Sequence, residues 1–257
     1  MLFQKKLKLT YIANMGITVE SGKKKVLVDA VHTKADPPFI CVPDDILEAL
    51  TLNKAPYNNI DLMLFTHAHK DHFDPSAVYE VIKRNKLINV VGTSEAILQI
   101  KTLPGYMTEL DSQLHSINIA KDKTIEYKLK DISFEVTNIC HDGSDDRIDD
   151  LVYLFEMNGK TIMHLGDARA EQANFENSTL LDRQVDVLIV PYSFIGLSEG
   201  RKVIRRIKPK MVIVSHLPSD DRDTTGLFDK VKKIYEKKKN SLPPCTILNT
   251  PGQTILI

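Results

Sequence analysis

The amino-acid sequence predicts a mixed α/β (α+β) fold in which two β-sheets carry helices on their outer sides. Three observations predict it. Strand-like segments fill the N-terminal stretch and then alternate with helical ones, and the second half of the chain repeats that order. Two continuous apolar runs, "IDLMLF" (60–65) and "VDVLIVP" (185–191), suit strands buried on both faces. No repeat, low-complexity tract or Gly/Ser-rich linker divides the 257 residues, so 1–257 is expected to form a single domain.

The elements follow in chain order. "LKLTYIA" (7–13) alternates apolar and other residues, and "GITVES" (16–21) and "KKVLVDAV" (24–31) follow across a "SGKKK" turn, which predicts an antiparallel meander. Residues 33–60 are broken by Pro37, Pro38, Pro43 and Pro56 and hold one short helix, "PDDILEAL" (43–50), with proline at its start and acids in its first turn. So long an excursion is the kind of loop that lines a binding site. After the buried run at 60–65, Asp74 is a candidate N-cap with Pro75 behind it, and "DPSAVYEVIKRN" (74–85) has helical spacing. "INVVGT" (88–93) reads as a strand and "SEAILQIK" (94–101) as a helix. Strands are then expected over 123–129, 132–140 and 151–167, the last folded at "MNGK" by an Asn-Gly turn. The buried run at 185–191, a helix over 198–208 ended by Pro209, a strand at 211–216 and a closing "QTILI" complete the pattern.

Composition narrows the function classes. Formal net charge is zero, so no global positive field recruits nucleic acid, and the basic run "KVKKIYEKKKN" (230–240) reads as the solvated face of a late helix. Cys41, Cys140 and Cys245 are odd in number and far apart, without a C-x-x-C pair, which argues against a disulfide framework or a cysteine-built zinc knuckle. The N-terminus lacks the apolar stretch of a signal peptide, and no segment approaches eighteen apolar residues. A cytoplasmic protein with no membrane span is the expectation.

The stretch that carries chemistry is "LMLFTHAHKDHFD" (62–74). Three of the eight histidines and an aspartate occupy six positions directly behind a buried strand. In extended chain, residues i and i+2 point the same way, so His67 and His69 can aim two imidazoles at one point before Asp71 and His72 turn the corner. Imidazole nitrogen and carboxylate oxygen are ligand types that zinc and other divalent ions accept. Four such groups do not readily converge on one ion from so short a segment, which makes a two-metal site plausible. A purely structural use, polar loop residues capping the next helix, explains one histidine there but not three.

This H-x-H-x-D-H pattern resembles the signature of the metallo-β-lactamase superfamily. The rest of the chain supplies further candidates where β-runs stop: His141 in "CHDG", Asp167 in "HLGD" and His216 in "SHLP", with Asp29 in "VLVDA" as a supporting carboxylate. Within the superfamily, "VDVLIVPYSFIG" (185–196) and "KVIRRIKPKMVIVSH" (202–216) look most like the L-ascorbate-6-phosphate lactonase-like branch. The first hairpin departs from that branch: "ANMG" (13–16) stands where a "GHS" or "GHA" turn is common. The resemblance implies a four-layer αββα sandwich of the metallo-β-lactamase type. It also implies two divalent metal ions, one held by His67, His69 and His141, the other by Asp71, His72 and His216, with Asp167 bridging. A metal-bridged hydroxide would then attack an ester, lactone, amide or phosphodiester, with Asp71 as the candidate catalytic proton carrier and Asp29 orienting an imidazole. Zinc is the first choice, and manganese or iron fits the mixed set almost as well.

Competing readings are weaker. A ribonuclease Z-type nuclease shares the signature, but the chain is neutral and has no basic arm. Flavin-linked diiron oxidoreductases of this fold carry a carboxylate where His69 stands. A non-catalytic metal-binding scaffold is disfavoured because all seven ligand positions are filled. The expected partner is a small-molecule substrate, with neither nucleic acid nor membrane, and the resemblance admits a homo-oligomer. His32 and His164 are expected to be structural and His115 exposed; Cys140 is expected to act as a small core hydrophobe, and Asp142, Asp145 and Asp146 as turn residues. Tyr192 is open to two uses, packing or hydrogen-bonding a substrate oxyanion. Substrate choice is assigned to the loops 33–60, 102–120 and 192–198.

Overall fold

The computed structural model describes residues 6–257. The contacts of the described residues group into two compact units: residues 6–36, 40–118 and 250–257 make the first, and Pro37–Phe39 with Ile119–Asn249 the second. Each unit holds one seven-stranded sheet.

The first unit opens with the expected meander, β1 (Lys8–Ala13), β2 (Gly16–Ser21) and β3 (Lys24–Val28), paired antiparallel. The β1–β2 turn is tight. A Cβ on Gly16 would lie 2.7 Å from the Ala13 carbonyl oxygen and 2.8 Å from that of Asp29, so only glycine lets the turn seat there. Helix α1 (Asp44–Thr51) interrupts the excursion between β3 and β4 (Leu62–Leu64). All three residues of β4 are buried, as a strand running parallel between β3 and its next neighbour requires. Helix α2 (Pro75–Arg84) starts where predicted: the Asp74 carboxylate accepts from the amides of Ser76 and Ala77, and Pro75 sacrifices no needed donor. Strand β5 (Asn89–Thr93), helix α3 (Ser94–Lys101) and strand β6 (Leu114–Ile117) extend the parallel half, and the last strand, Thr254–Leu256, closes the other edge against β1. Ile46, Val78, Ile82 and Ile97 from the helices share one core with Leu27, Met63 and Val90 of the sheet. Each such side chain contributes about 1.5–3 kcal/mol by leaving water.

The second unit repeats that design. Strands β7 (Thr124–Leu129), β8 (Ile132–Cys140), β9 (Asp149–Met157) and β10 (Lys160–His164) are antiparallel neighbours; β11 (Val187–Pro191), β12 (Met211–Ser215) and β13 (Cys245–Ile247) then continue in parallel. Asn158 and Gly159 both take positive φ at the β9–β10 turn, as a two-residue hairpin asks. A short helix α4 (Ser193–Gly196) leads directly into α5 (Ser198–Ile207), and α6 (Leu227–Lys238) carries the basic run. Phe194, Val203, Ile204 and Val231 pack with Leu188, Val190 and Val212 of the sheet. A Cβ at Gly200 would meet the Phe194 Cα at 2.5 Å, so this glycine allows α5 to lie on the backbone of α4.

Candidate metal centre

In the first unit the donors leave β4 and are gripped from below by Asp29, which follows β3. Asp29 is buried and adopts positive φ (48°), a conformation an aspartate keeps only where its surroundings hold it. Its Oδ1 accepts from the Thr66 amide at 2.8 Å, and its Oδ2 accepts from the Thr66 hydroxyl at 2.7 Å and from His72 Nδ1 at 3.0 Å. The Thr66 hydroxyl spends its proton on Asp29, so toward His67 Nδ1, 3.0 Å away, it acts as acceptor. Both imidazoles therefore carry hydrogen on Nδ1 and present Nε2 as the lone-pair nitrogen, the form that binds a cation. The rings lie close: His67 and His72 centroids are 4.1 Å apart, and His67 and His69 4.6 Å. The amides of His72 and Phe73 both bond the His69 carbonyl, which forms the corner that brings Asp71 beside His72, Oδ2 3.9 Å from Nε2.

Asn14 is a residue that sequence reasoning missed. It is buried in the "ANMG" turn at positive φ, and its side-chain amide donates to the carbonyls of Asp71 (3.0 Å) and Ile40 (2.9 Å) while its Oδ1 accepts from the Ile40 amide. It thus ties the ligand loop to the long excursion. The available signal was the asparagine of that turn, a residue type that tolerates positive φ.

In the second unit three strand ends supply His141, Asp167 and His216, after β8, β10 and β12. His141 Nδ1 donates to the Asp142 carbonyl, which fixes its lone pair on Nε2 as well. Asp167 Oδ2 lies 3.3 Å from His216 Nε2 and 3.8 Å from His141 Nε2, so these three donors converge. Asp167 is seated by its amide, which bonds the fully buried Asp150 carboxylate at 3.2 Å; Asp150 gave no sequence signal within its acidic run. The turn before it is shaped by buried His164, whose Nδ1 accepts from the Gly166 amide at 3.1 Å. His216 takes positive φ (58°), as the supporting Asp29 does in the first unit.

These donors border a cavity of about 290 Å³, lined also by Phe39, Asp142, Tyr192 and Ser193. The Phe39 ring meets His216 edge-on at 4.2 Å, and its carbonyl accepts from Arg222. Burial, then the nearby charges of Asp142 and Asp167, push the Tyr192 hydroxyl above its ordinary pKa and keep it protonated. Two of the three substrate loops named from the sequence thus reach this cavity, through Phe39 and through Tyr192 and Ser193.

Several secondary expectations meet their positions here. Asp145 and Asp146 pair with Arg147 and Arg169 at the surface, as turn residues do. His115 is corrected: it is half-buried, its Nε2 bonds Asn89 at 3.0 Å, and burial lowers its pKa. Cys140 is half-buried, not a core residue, and His32 is fully buried. No helix among the described residues is long and apolar enough to cross a membrane.

Comparison with known proteins settles the family. Residues 8–216 match the model of the β-lactamase superfamily domain. The chain belongs to the metallo-β-lactamase superfamily. It is 25% identical to a metal-dependent hydrolase of Pyrococcus furiosus over 97% of this chain and 99% of that one, and 28% identical to a metal-dependent hydrolase of Staphylococcus haemolyticus over 88% and 93%. A metallo hydrolase from Ignicoccus hospitalis superposes with a TM-score of 0.66 at 18% identity, covering 98% of both chains, which shows the shared fold. The two-sheet α/β prediction is met, and the superfamily's signature at 67–72 coincides with the gripped loop after β4.

Proposed function

We propose that this chain is a hydrolase that acts with two divalent metal ions, all of residues 1–257 working as one domain. His67, His69 and His141 would hold one ion, Asp71, His72 and His216 the other, and Asp167 both. One observation carries the reading: a single buried carboxylate, Asp29, sets the tautomer of His72 directly and of His67 through Thr66, an arrangement typical of metal-binding imidazoles. The donor set, imidazoles and carboxylates without thiolate, fits zinc first and manganese or iron nearly as well. Bound there, such ions supply Lewis acidity and lower the pKa of water enough to provide a nucleophile at neutral pH.

The protein's own groups do the rest. Asp29 and Thr66 hold two imidazoles in the ligating tautomer, and the Asp142 carbonyl does the same for His141. Asp71 is placed by Asn14 through its backbone and is the group we assign to carry a proton as the bond breaks. The bond is an ester, lactone, amide or phosphodiester in a small molecule; the lactonase-like resemblance of 185–216 favours the lactone and ester end of that range. Three free cysteines suit work in a reducing cytoplasm.

Elemental analysis of protein purified without chelator, then reconstituted with Zn, Mn or Fe, tests the first half of the proposal; about two ions per chain are expected. A panel of lactones, aryl esters and bis(p-nitrophenyl) phosphate tests the second. His67→Ala and Asp167→Ala should each lower both metal content and turnover by a hundredfold or more, on the order of a ligand lost outright. Full activity in either variant sinks the reading.

A further inference from the structure

We propose that β7 pairs edge to edge with β7 of a second copy of this chain. The two strands run antiparallel about a two-fold axis at Tyr127, and Glu126 of each copy lies opposite Lys128 of the other.

Among the described residues, β7 ends the strand order of its sheet, with β8 on one side and no strand on the other. Of the four strands that end the two sheets it is the longest: six residues, against four in β6 and three each in β13 and the closing Thr254–Leu256. A long open edge is a template for another strand unless the chain blunts it. Pro243 and Pro244 stand just before β13, whereas β7 holds no proline.

Hydrogen bonding fixes which residues of β7 face outward. The Asn138 amide donates to the Lys123 carbonyl at 3.2 Å, and the register continues with Thr124 opposite Thr137 and Leu129 opposite Ile132. Bonded and non-bonded pairs alternate along an antiparallel ladder. Ile125, Tyr127 and Leu129 therefore bond β8, while Thr124, Glu126 and Lys128 turn their N–H and C=O groups to the open edge. An added strand must match outward residues with outward residues, so a two-fold axis passes through a residue. An axis at Glu126 or Lys128 sets like charge against like. An axis at Tyr127 makes two Glu126–Lys128 pairs and sets Ile125 opposite Leu129. Axes nearer either end leave part of the strand unpaired.

The side chains suit that register. Ile125, Tyr127 and Leu129 share one face and are half-buried, with Tyr127 stacked on Phe134 at 5.7 Å; a second strand would cover their open flank. Glu126 and Lys128 are exposed on the other face. Glu126 lies directly across from Glu135 of β8, a like-charge neighbour that a lysine from the second copy would offset. Arg183 pairs with Glu135, and neither Glu126 nor Lys128 makes an ion pair among the described residues.

The test is sedimentation of the full-length protein. One strand pair is a small interface, so wild type should form a dimer with a Kd on the order of micromolar. Glu126→Lys and Lys128→Glu should each weaken it on the order of tenfold or more, because two opposite-charge pairs become like-charge pairs. The double variant Glu126→Lys/Lys128→Glu should regain wild-type association. An equimolar mixture of the two single variants should associate where each alone does not, since mixing restores both pairs. That rescue cannot come from a folding defect. Wild type that stays monomeric at about 100 µM overturns the proposal. So does an assembly other than a dimer, a dimer that neither single variant weakens, or single variants that do not rescue each other.

Discussion

Four candidate ligands of the first unit leave the end of one strand within six residues, whereas the three of the second unit come singly from the ends of β8, β10 and β12. The first set is organised by a charge: Asp29 accepts three hydrogen bonds and reaches two of the imidazoles. The second is organised mostly by backbone, with the Asp142 carbonyl holding His141 and the Asp167 amide resting on Asp150. Density in sequence requires one shared support, since four side chains on a short loop cannot each be braced by their own strand. Dispersion needs none, because each strand end is already fixed by its ladder. The second unit spends its free positions differently, on a cavity wall of Phe39, Tyr192 and Ser193.

The sharpest way to break this contrast is to remove the charge that organises the first set while keeping its shape. Asp29→Asn keeps one acceptor oxygen but presents an NH₂ where Oδ2 took hydrogen from both Thr66 and His72. Metal affinity is expected to fall about 10- to 100-fold, the range for losing a group that orients a ligating imidazole. Titration of metal-free protein with Zn²⁺ against a competing chelator measures it. Affinity within twofold of wild type would show that the loop holds its imidazoles without Asp29.

Asn14→Ala attacks the same loop through its backbone. It leaves the carbonyls of Asp71 and Ile40 and the Ile40 amide without their side-chain partner, in a buried place. Stability should drop by about 1–3 kcal/mol, with a smaller loss of metal affinity than for Asp29→Asn, because the imidazole tautomers are untouched. Urea unfolding and the same metal titration separate the two effects.

The contrast also explains what could be read from the chain. The first donor set was legible because its residue types crowd into one stretch, and the cap at Asp74 with Pro75 fixed where α2 begins. His141, Asp167 and His216 were legible only as a pattern of strand ends, since one histidine after one strand carries little information. Asn14 and Asp150 stayed hidden. Their roles depend on burial and on partners distant in sequence, such as Asp71 for Asn14 and Asp167 for Asp150, and no local period encodes either. Strands β6 and β13 were missed for a related reason: each is short, and its pairing to a parallel neighbour leaves no turn to announce it. The same dependence on context misplaced His115, whose half-buried position comes from pairing with Asn89 on β5.

In the second unit the equivalent change should do less. Asp150→Asn retains an oxygen for the Asp167 amide, so that hydrogen bond survives, and metal affinity should change by about threefold or less. A loss as large as that of Asp29→Asn would mean that both sets depend on a buried charge.

The smallest effect expected is none. Two of the three cysteines lie in the second unit, Cys140 directly before His141 and Cys245 on β13, so a thiol contribution to that donor set is open to direct test. Burial pushes the Cys245 thiol up to about 12. The thiolate is the reactive and the ligating form, and with that pKa its population at pH 8 is about a thousandfold below that of an ordinary cysteine. Iodoacetamide at pH 8 should therefore leave Cys245 unmodified in peptide maps of the folded protein and modify it after denaturation. Because the raised pKa marks a form stable below the ordinary thiol range, protection should persist at pH 8 and weaken only as pH climbs toward 12. Metal content should be the same before and after this treatment, whichever other thiols react, if imidazole and carboxylate alone hold the ions. Metal lost in step with alkylation of Cys140 would put a sulfur among the ligands of the second unit and end its description as a set of three strand-end donors.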